Sequence, residues 1–144
     1  MQRIQRNCLI AGTLALAIVS MPAGANTVVI VSANSPVKTL SKQDAAALYL
    51  GRTTTLPGGA SARLFDQSDS SPVREKFYQA ATGKSASQVK SVWSRLVFSG
   101  RAIPPKELAN DAAVVKAVAG NPSAVGYVDS SSLNSSVRAV LQLP

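Results

Sequence analysis

An α/β fold with one mixed sheet flanked by helices is predicted by three features of this sequence. Apolar, β-branched runs at 26–33, 124–129 and 137–143 have the composition of buried strands. Amphipathic stretches at helical spacing lie between the first run and the last two, the alternation that layers helices on a sheet. The last two runs follow each other with only a short polar stretch between them, which favours a mixed sheet over a wholly parallel one.

Taken in order, NTVVIVSA ends at Asn34-Ser35-Pro36 and reads as a strand followed by a turn. Ser41, three residues before Asp44, opens SKQDAAALYLG as a capping-box helix that stops at Gly51. Pro57-Gly58-Gly59 marks a loop, and ARLFD beyond it a short strand around Leu64 and Phe65. Ser71 as N-cap and Pro72 at the first helical position begin a helix whose expected apolar face is Val73, Phe77 and Ala80 or Ala81, up to Gly83. Val89, Val92, Trp93, Leu96 and Val97 fall at i, i+3, i+4, i+7 and i+8 of a further helix, with Ser85 and Gln88 as its cap. SGRAIPPKE is expected to be a loop, because adjacent prolines cannot continue a helix. A helix over about 111–119, burying Val114, Val115 and Val118, ends at Gly120-Asn121-Pro122 and precedes the final strands AVGYVD and VRAVLQL. No internal repeat or long linker divides the chain.

The 144 residues suit one domain preceded by a leader. Residues 1–25 carry Arg3 and Arg6, an apolar stretch from Cys8 to Val19, and the small-residue ending Ala23-Gly24-Ala25, the pattern of a secretory signal peptide cut before Asn26. The apolar stretch falls short of the roughly 20 residues that span a bilayer. Residues 26–144 are therefore expected as the exported, periplasmic domain. They contain no cysteine and no histidine, which excludes disulfides, thiol nucleophiles, histidine bases and histidine metal ligands. No metal or cofactor is implied. Without Arg3 and Arg6, 13 basic residues stand against 7 acidic ones, a net charge of +6 that draws anions. The basic residues are scattered singly, so nucleic acid is not expected as a partner.

Catalytic patterns are weak. Ser35 to Lys38 and Ser87 to Lys90 have serine–lysine spacing without the elements that support it in penicillin-interacting enzymes. Gly83-Lys84-Ser85 resembles the end of a P-loop, but Tyr78 stands where that motif needs glycine. Asp66 and Asp69 form the one close carboxylate pair and read as turn caps. No acid, base and nucleophile set assembles, so the chain is not expected to be an enzyme. The stretch FDQSDSSPVREKFY is more informative. Unpaired amides of a first helical turn, the positive helix end and the hydroxyls of Ser68, Ser70 and Ser71 suit an oxyanion, while serines before a proline are also ordinary capping chemistry.

The stretches VVIVSANSPVKTLSKQDAAALYLGR, FDQSDSSPVREKFY, VWSRLVFSGRAIPPKE and NPSAVGYV, in this order, resemble the phosphate-binding proteins of ABC transporters, in particular short exported proteins of that kind. The resemblance implies a single-domain, type II periplasmic-binding-protein-like fold. It also implies phosphate or a similar oxyanion as ligand and a transporter or other envelope protein as partner. The family grips phosphate with a turn of the form R-x-D-G-S-G-T. Carried over, its arginine falls on Gln67, its aspartate on Asp69, its glycines on Ser70 and Pro72, its serine on Ser71 and its threonine on Val73.

Asp69 and Ser71 match this turn, and Gln67, Pro72 and Val73 do not. A neutral amide replaces a charged fork, and a backbone donor and a hydroxyl are lost. The family's segments ahead of the first matched strand, which supply the other wall of the site, have no counterpart before Asn26. The expected ligand-binding residues are Ser68, Asp69, Ser70, Ser71 and Arg74. Arg74 is the nearest positive charge, and an exposed helix arginine is the plainer reading of it. Weak oxyanion binding in transport or sensing is expected. The alternative is an interaction module that docks to an envelope or membrane protein without binding a ligand.

Overall fold

A computed structural model describes residues 26–144, so the signal-peptide segment lies outside the described residues. β1 (Thr27–Ser32) is buried along its whole length, Val29 and Val31 facing one side and Val28 and Ile30 the other. The unbroken apolar run Val28–Val31 is what a strand covered on both faces requires. α1 (Lys42–Tyr49) follows, with the Ser41–Asp44 capping box formed in both directions.

β2 (Arg63–Gln67) leads into α2 (Pro72–Thr82), which ends at Gly83 in the left-handed conformation that glycine adopts without strain. α3 (Ala86–Phe98) carries the Ser85–Gln88 capping box. α4 (Asp111–Ala119) is capped by Asn110, whose side chain accepts from the Ala113 amide. β4 (Ala124–Asp129) and β5 (Val137–Leu143) close the chain. Two elements go beyond the sequence reading: β3 (Lys106–Leu108), within the stretch expected to be loop, and a 3-10 turn over Ser130–Ser132.

The five strands lie in the order β3-β2-β4-β1-β5. β2 runs parallel to both β3 and β4, and β1 antiparallel to both β4 and β5, so the sheet is mixed as expected. One apolar cluster joins the sheet to α1, α2 and α3 through Tyr49, Phe77, Tyr78, Val89 and Trp93; the other joins it to α4 through Val114, Val115 and Val118. The sheet and both clusters lie within 26–144.

The apolar face of α2 differs from the expected one. Arg74, Phe77, Tyr78 and Ala81, at i, i+3, i+4 and i+7, are buried, and Val73 is half-buried. A guanidinium therefore occupies a core-facing position of the helix, the opposite of the exposed reading of Arg74.

Gly126 on β4 is where α4 approaches the sheet most closely. A Cβ there would stand 2.5 Å from Val114 Cγ1 and 3.0 Å from Val118 Cγ2. Gly126→Ala is expected to cost about 1–3 kcal/mol by overpacking, measured as a lower urea midpoint. An unchanged midpoint would show that α4 can shift outward freely.

Candidate functional site

The parallel strands β2, β3 and β4 end side by side at Gln67, Leu108 and Asp129. The carboxyl edge of a parallel set is where open α/β sheets place ligands, since the loops and helix starts gather there. From this edge leave the turn Ser68–Ser71 into α2, the turn Ala109–Asn110 into α4, and the 3-10 turn Ser130–Ser132. Asp111 ties the three together: one carboxylate oxygen accepts from Gln67 Nε2 at 2.7 Å, the other from the Asp129 amide at 3.0 Å and Ser132 Oγ at 2.7 Å.

Gln67 is 1 % exposed and committed to the fold. Besides Asp111, its side-chain amide donates to the Tyr127 carbonyl at 2.9 Å, and its side-chain oxygen accepts from Ser71 Oγ at 2.6 Å. Ser71 holds the N-cap position with extended backbone angles, but its hydroxyl locks Gln67 and does not cap α2. The Ser71 amide donates to the Ser68 carbonyl and the Arg74 amide to the Ser71 carbonyl. Ser68 and Ser70 are paired hydroxyl to hydroxyl at 3.1 Å at the open side of the turn.

Beneath the turn lies Arg74, 4 % exposed. Its Nη1 donates to the Gln67 carbonyl at 3.1 Å, to Asp69 Oδ1 at 2.8 Å and to Glu107 Oε1 at 3.0 Å, and Nη2 lies 3.8 Å from Asp66 Oδ2. The Nε–H is buried with no acceptor among the protein atoms. Burial opposes the charge, but Asp66, Glu107 and the neighbouring phenols outweigh it and hold the guanidinium pKa above its ordinary value. Asp69 also accepts from Lys90 at 3.0 Å, and Lys90 and Arg74 together hold its carboxyl below the usual range.

Asp66, which the sequence offered as a turn cap, is instead a buried carboxylate at the end of β2. It accepts from Tyr78 Oη at 2.6 Å, from Tyr127 Oη and from the Gln67 amide. Desolvation and the Asp66 charge push both phenols far above the ordinary tyrosine pKa, so they remain donors at every working pH. Phe77 lies parallel to Tyr127 at 4.0 Å and edge-on to Tyr78, and Tyr49 meets both phenol rings edge-on. The Asp66–Asp69 pair is thus split, both acids being counterions of one arginine.

Ser68, Asp69, Ser70, Ser71 and Arg74 are all brought together at one edge of the sheet. The sequence reading did not include Glu107, Asp111, Gln67 as a turn lock, or Lys90. Burial of Arg74 was visible in its spacing to Phe77, Tyr78 and Ala81; Glu107 had no such signal, because its strand has three residues. The remaining sequence motifs are structural. Ser35 Oγ accepts from the Val37 amide, Ser85 caps α3, and Lys90 pairs with Asp69.

No protein-family model and no curated protein matches the chain. Solved structures share its fold. One is a protein from Clostridium perfringens assigned as a phosphate ABC transporter substrate-binding protein and solved with phosphate bound. It matches with a TM-score of 0.65 and 23% identity, over 81% of this chain and 44% of that one. An ABC-type phosphate transport receptor from Vibrio cholerae matches at 0.63 and 18% identity, over 81% of this chain and 45% of the receptor. PstS from Borrelia burgdorferi matches at 0.54 and 12% identity, over 81% and 46%. The chain thus spans less than half the length of these proteins, which are described as transport components and not as enzymes. Over the matched part it shares their mixed α/β fold, the fold expected from the four stretches.

Proposed function

We propose that this chain is an exported, periplasmic solute-binding-like module that holds phosphate or a similar small oxyanion weakly, in transport or sensing. The observation that carries this reading is the turn Ser68–Ser71. It sets the Ser68 and Ser70 hydroxyls at the positive end of α2, in a turn that the buried Arg74 guanidinium joins through the Gln67 carbonyl and the Asp69 carboxylate. The fold it shares with a phosphate-bound structure supports the same assignment. A transporter or another envelope protein is the partner this reading implies.

The same geometry makes the binding weak. Arg74 faces three carboxylates, and Gln67 is locked where a second charged donor would stand. The carboxylates of Asp69 and Glu107 can only accept, so they favour an oxyanion that carries a proton over one that does not. Titration calorimetry of residues 26–144 is therefore expected to show millimolar phosphate binding and weaker sulfate binding. Ser70→Ala should weaken phosphate by about fivefold, the value of one hydrogen bond of roughly 1 kcal/mol. The Ser71→Ala change should act mainly on stability, because that hydroxyl is already spent on Gln67.

A second reading rests on a specific observation. The chain's own carboxylates, Asp69 and Asp111, already occupy the starts of α2 and α4. On that reading the site has closed on itself and the protein acts as an interaction module. Absence of heat for either anion at millimolar concentration would select it.

A further inference from the structure

Next to the carboxyl edge, α3 and the segment behind it carry the most exposed large apolar side chains among the described residues. Phe98 is 96 % exposed, Ile103 90 % and Val97 46 %. Phe98 is the last residue of α3, and Ile103 follows five residues later, just before Pro104-Pro105. They belong to one surface. Ile103 borders a cavity of about 570 Å³ and Val97 and Phe98 a second of about 390 Å³, and both cavities share Trp93, Pro104 and Pro105 as walls.

The charged side chains that border the larger cavity are all basic, and the smaller one is bordered by charges of both signs that pair with one another or with Asp69. Arg63, Arg101 and Lys106 line the larger cavity, which has no acidic wall, and Arg95 lies one turn before the end of α3. All four are exposed, and among the described residues none has a carboxylate within 4.0 Å. The nearest acidic wall residues, Asp66 and Glu107, border the smaller cavity and are engaged by Arg74.

We infer that this face docks onto an anionic phospholipid membrane, with Phe98 and Ile103 entering the interfacial layer and Arg63, Arg95, Arg101 and Lys106 lying among the headgroup phosphates. Projecting apolar side chains with a basic surround are what binding at such an interface needs: apolar burial supplies depth, and cationic attraction supplies preference for anionic lipid. A second copy of the chain is a poorer occupant, because a two-fold contact would set this basic surround against itself. No helix among the described residues is long and apolar enough to cross a bilayer. The inference does not depend on the oxyanion site.

The test uses residues 26–144, which hold the whole sheet and both apolar clusters and lack the apolar leader. Vesicles of equal phosphatidylglycerol and phosphatidylcholine should co-sediment the protein at low salt and blue-shift the emission of Trp93, the only tryptophan. Pure phosphatidylcholine vesicles should do neither. The double change Phe98→Ser with Ile103→Ser alters exposed positions and should weaken vesicle binding by about tenfold or more, with an unchanged far-UV spectrum. Arg101→Glu with Lys106→Glu should abolish the preference for phosphatidylglycerol, and soluble glycerophosphate at millimolar concentration should not compete. Three results would overturn the inference: no binding to phosphatidylglycerol vesicles, equal binding by the Phe98/Ile103 variant, or a wild-type dimer that this variant converts to monomer. The last would make the face a contact between copies.

Discussion

Replacing Arg74 with methionine is expected to destabilise the protein by about 3–5 kcal/mol, the usual cost of removing one partner from a buried ion pair. The size follows from what is left behind. Asp66 is 4 % exposed, and without Arg74 its charge is balanced only by neutral donors from Tyr78, Tyr127 and the Gln67 amide. Asp69 and Glu107 also lose a partner, but both are more than half exposed and water replaces it cheaply. Against a total stability of roughly 5–15 kcal/mol, the loss is large. Urea unfolding followed by far-UV dichroism measures it.

The source of the loss can be checked with a second change. If the orphaned Asp66 charge causes it, adding Asp66→Asn to Arg74→Met should recover at least about 1 kcal/mol, since neighbouring partners are coupled by roughly 0.5–3 kcal/mol. Additive single changes would show that Asp66 and Arg74 act independently, and that the arginine matters through its bonds to the turn. Arg74→Lys separates charge from geometry: it keeps the charge, but a point charge on a flexible stem lacks the planar fork that meets Gln67, Asp69 and Glu107 through Nη1 and Asp66 through Nη2.

The difference between Arg74 expected and Arg74 observed shows which parts of the molecule were legible in the sequence. Caps and stops were, because they are local: Ser41 with Asp44, Ser85 with Gln88 and the turn at Gly83 form through residues three or four apart. The strands buried on both faces were legible as unbroken apolar runs. β3 was not, because three residues, two of them charged, become a strand only by pairing with β2. Nor was the site's interior. Tyr127 reaches Asp66 across 61 residues and Gln67 reaches Asp111 across 44, contacts that no local spacing encodes. The motif FDQSDSSPVREKFY runs from the carboxyl end of β2 into α2, at one edge of the sheet. What it could not show is that carboxylates from other elements gather there and take up the same donors.

Trp93 should show the second large effect, and it joins the fold to the lipid-facing surface. The indole is nearly buried, its N–H donating to the Tyr49 carbonyl at the end of α1 at 2.8 Å. Its ring lies against Gly51, where an added Cβ would stand 3.2 Å from it. Trp93→Ala removes one of the walls that the two cavities share and the bond from α3 to the end of α1, and is expected to cost about 3–5 kcal/mol. Trp93→Phe keeps most of the wall and should cost less, about 1–2 kcal/mol, because water entering from the open cavities can hydrate the Tyr49 carbonyl. Hydrogen exchange gives an independent readout. In Trp93→Ala the amides over 99–103 should exchange faster than in the wild type while those of β1 change less, since that segment rests on the lost ring and the sheet core does not. A loss below 1 kcal/mol with unaltered exchange would mean that the segment is held by Pro104 and Pro105 alone, and that the surface carrying Phe98 and Ile103 needs no support from the core.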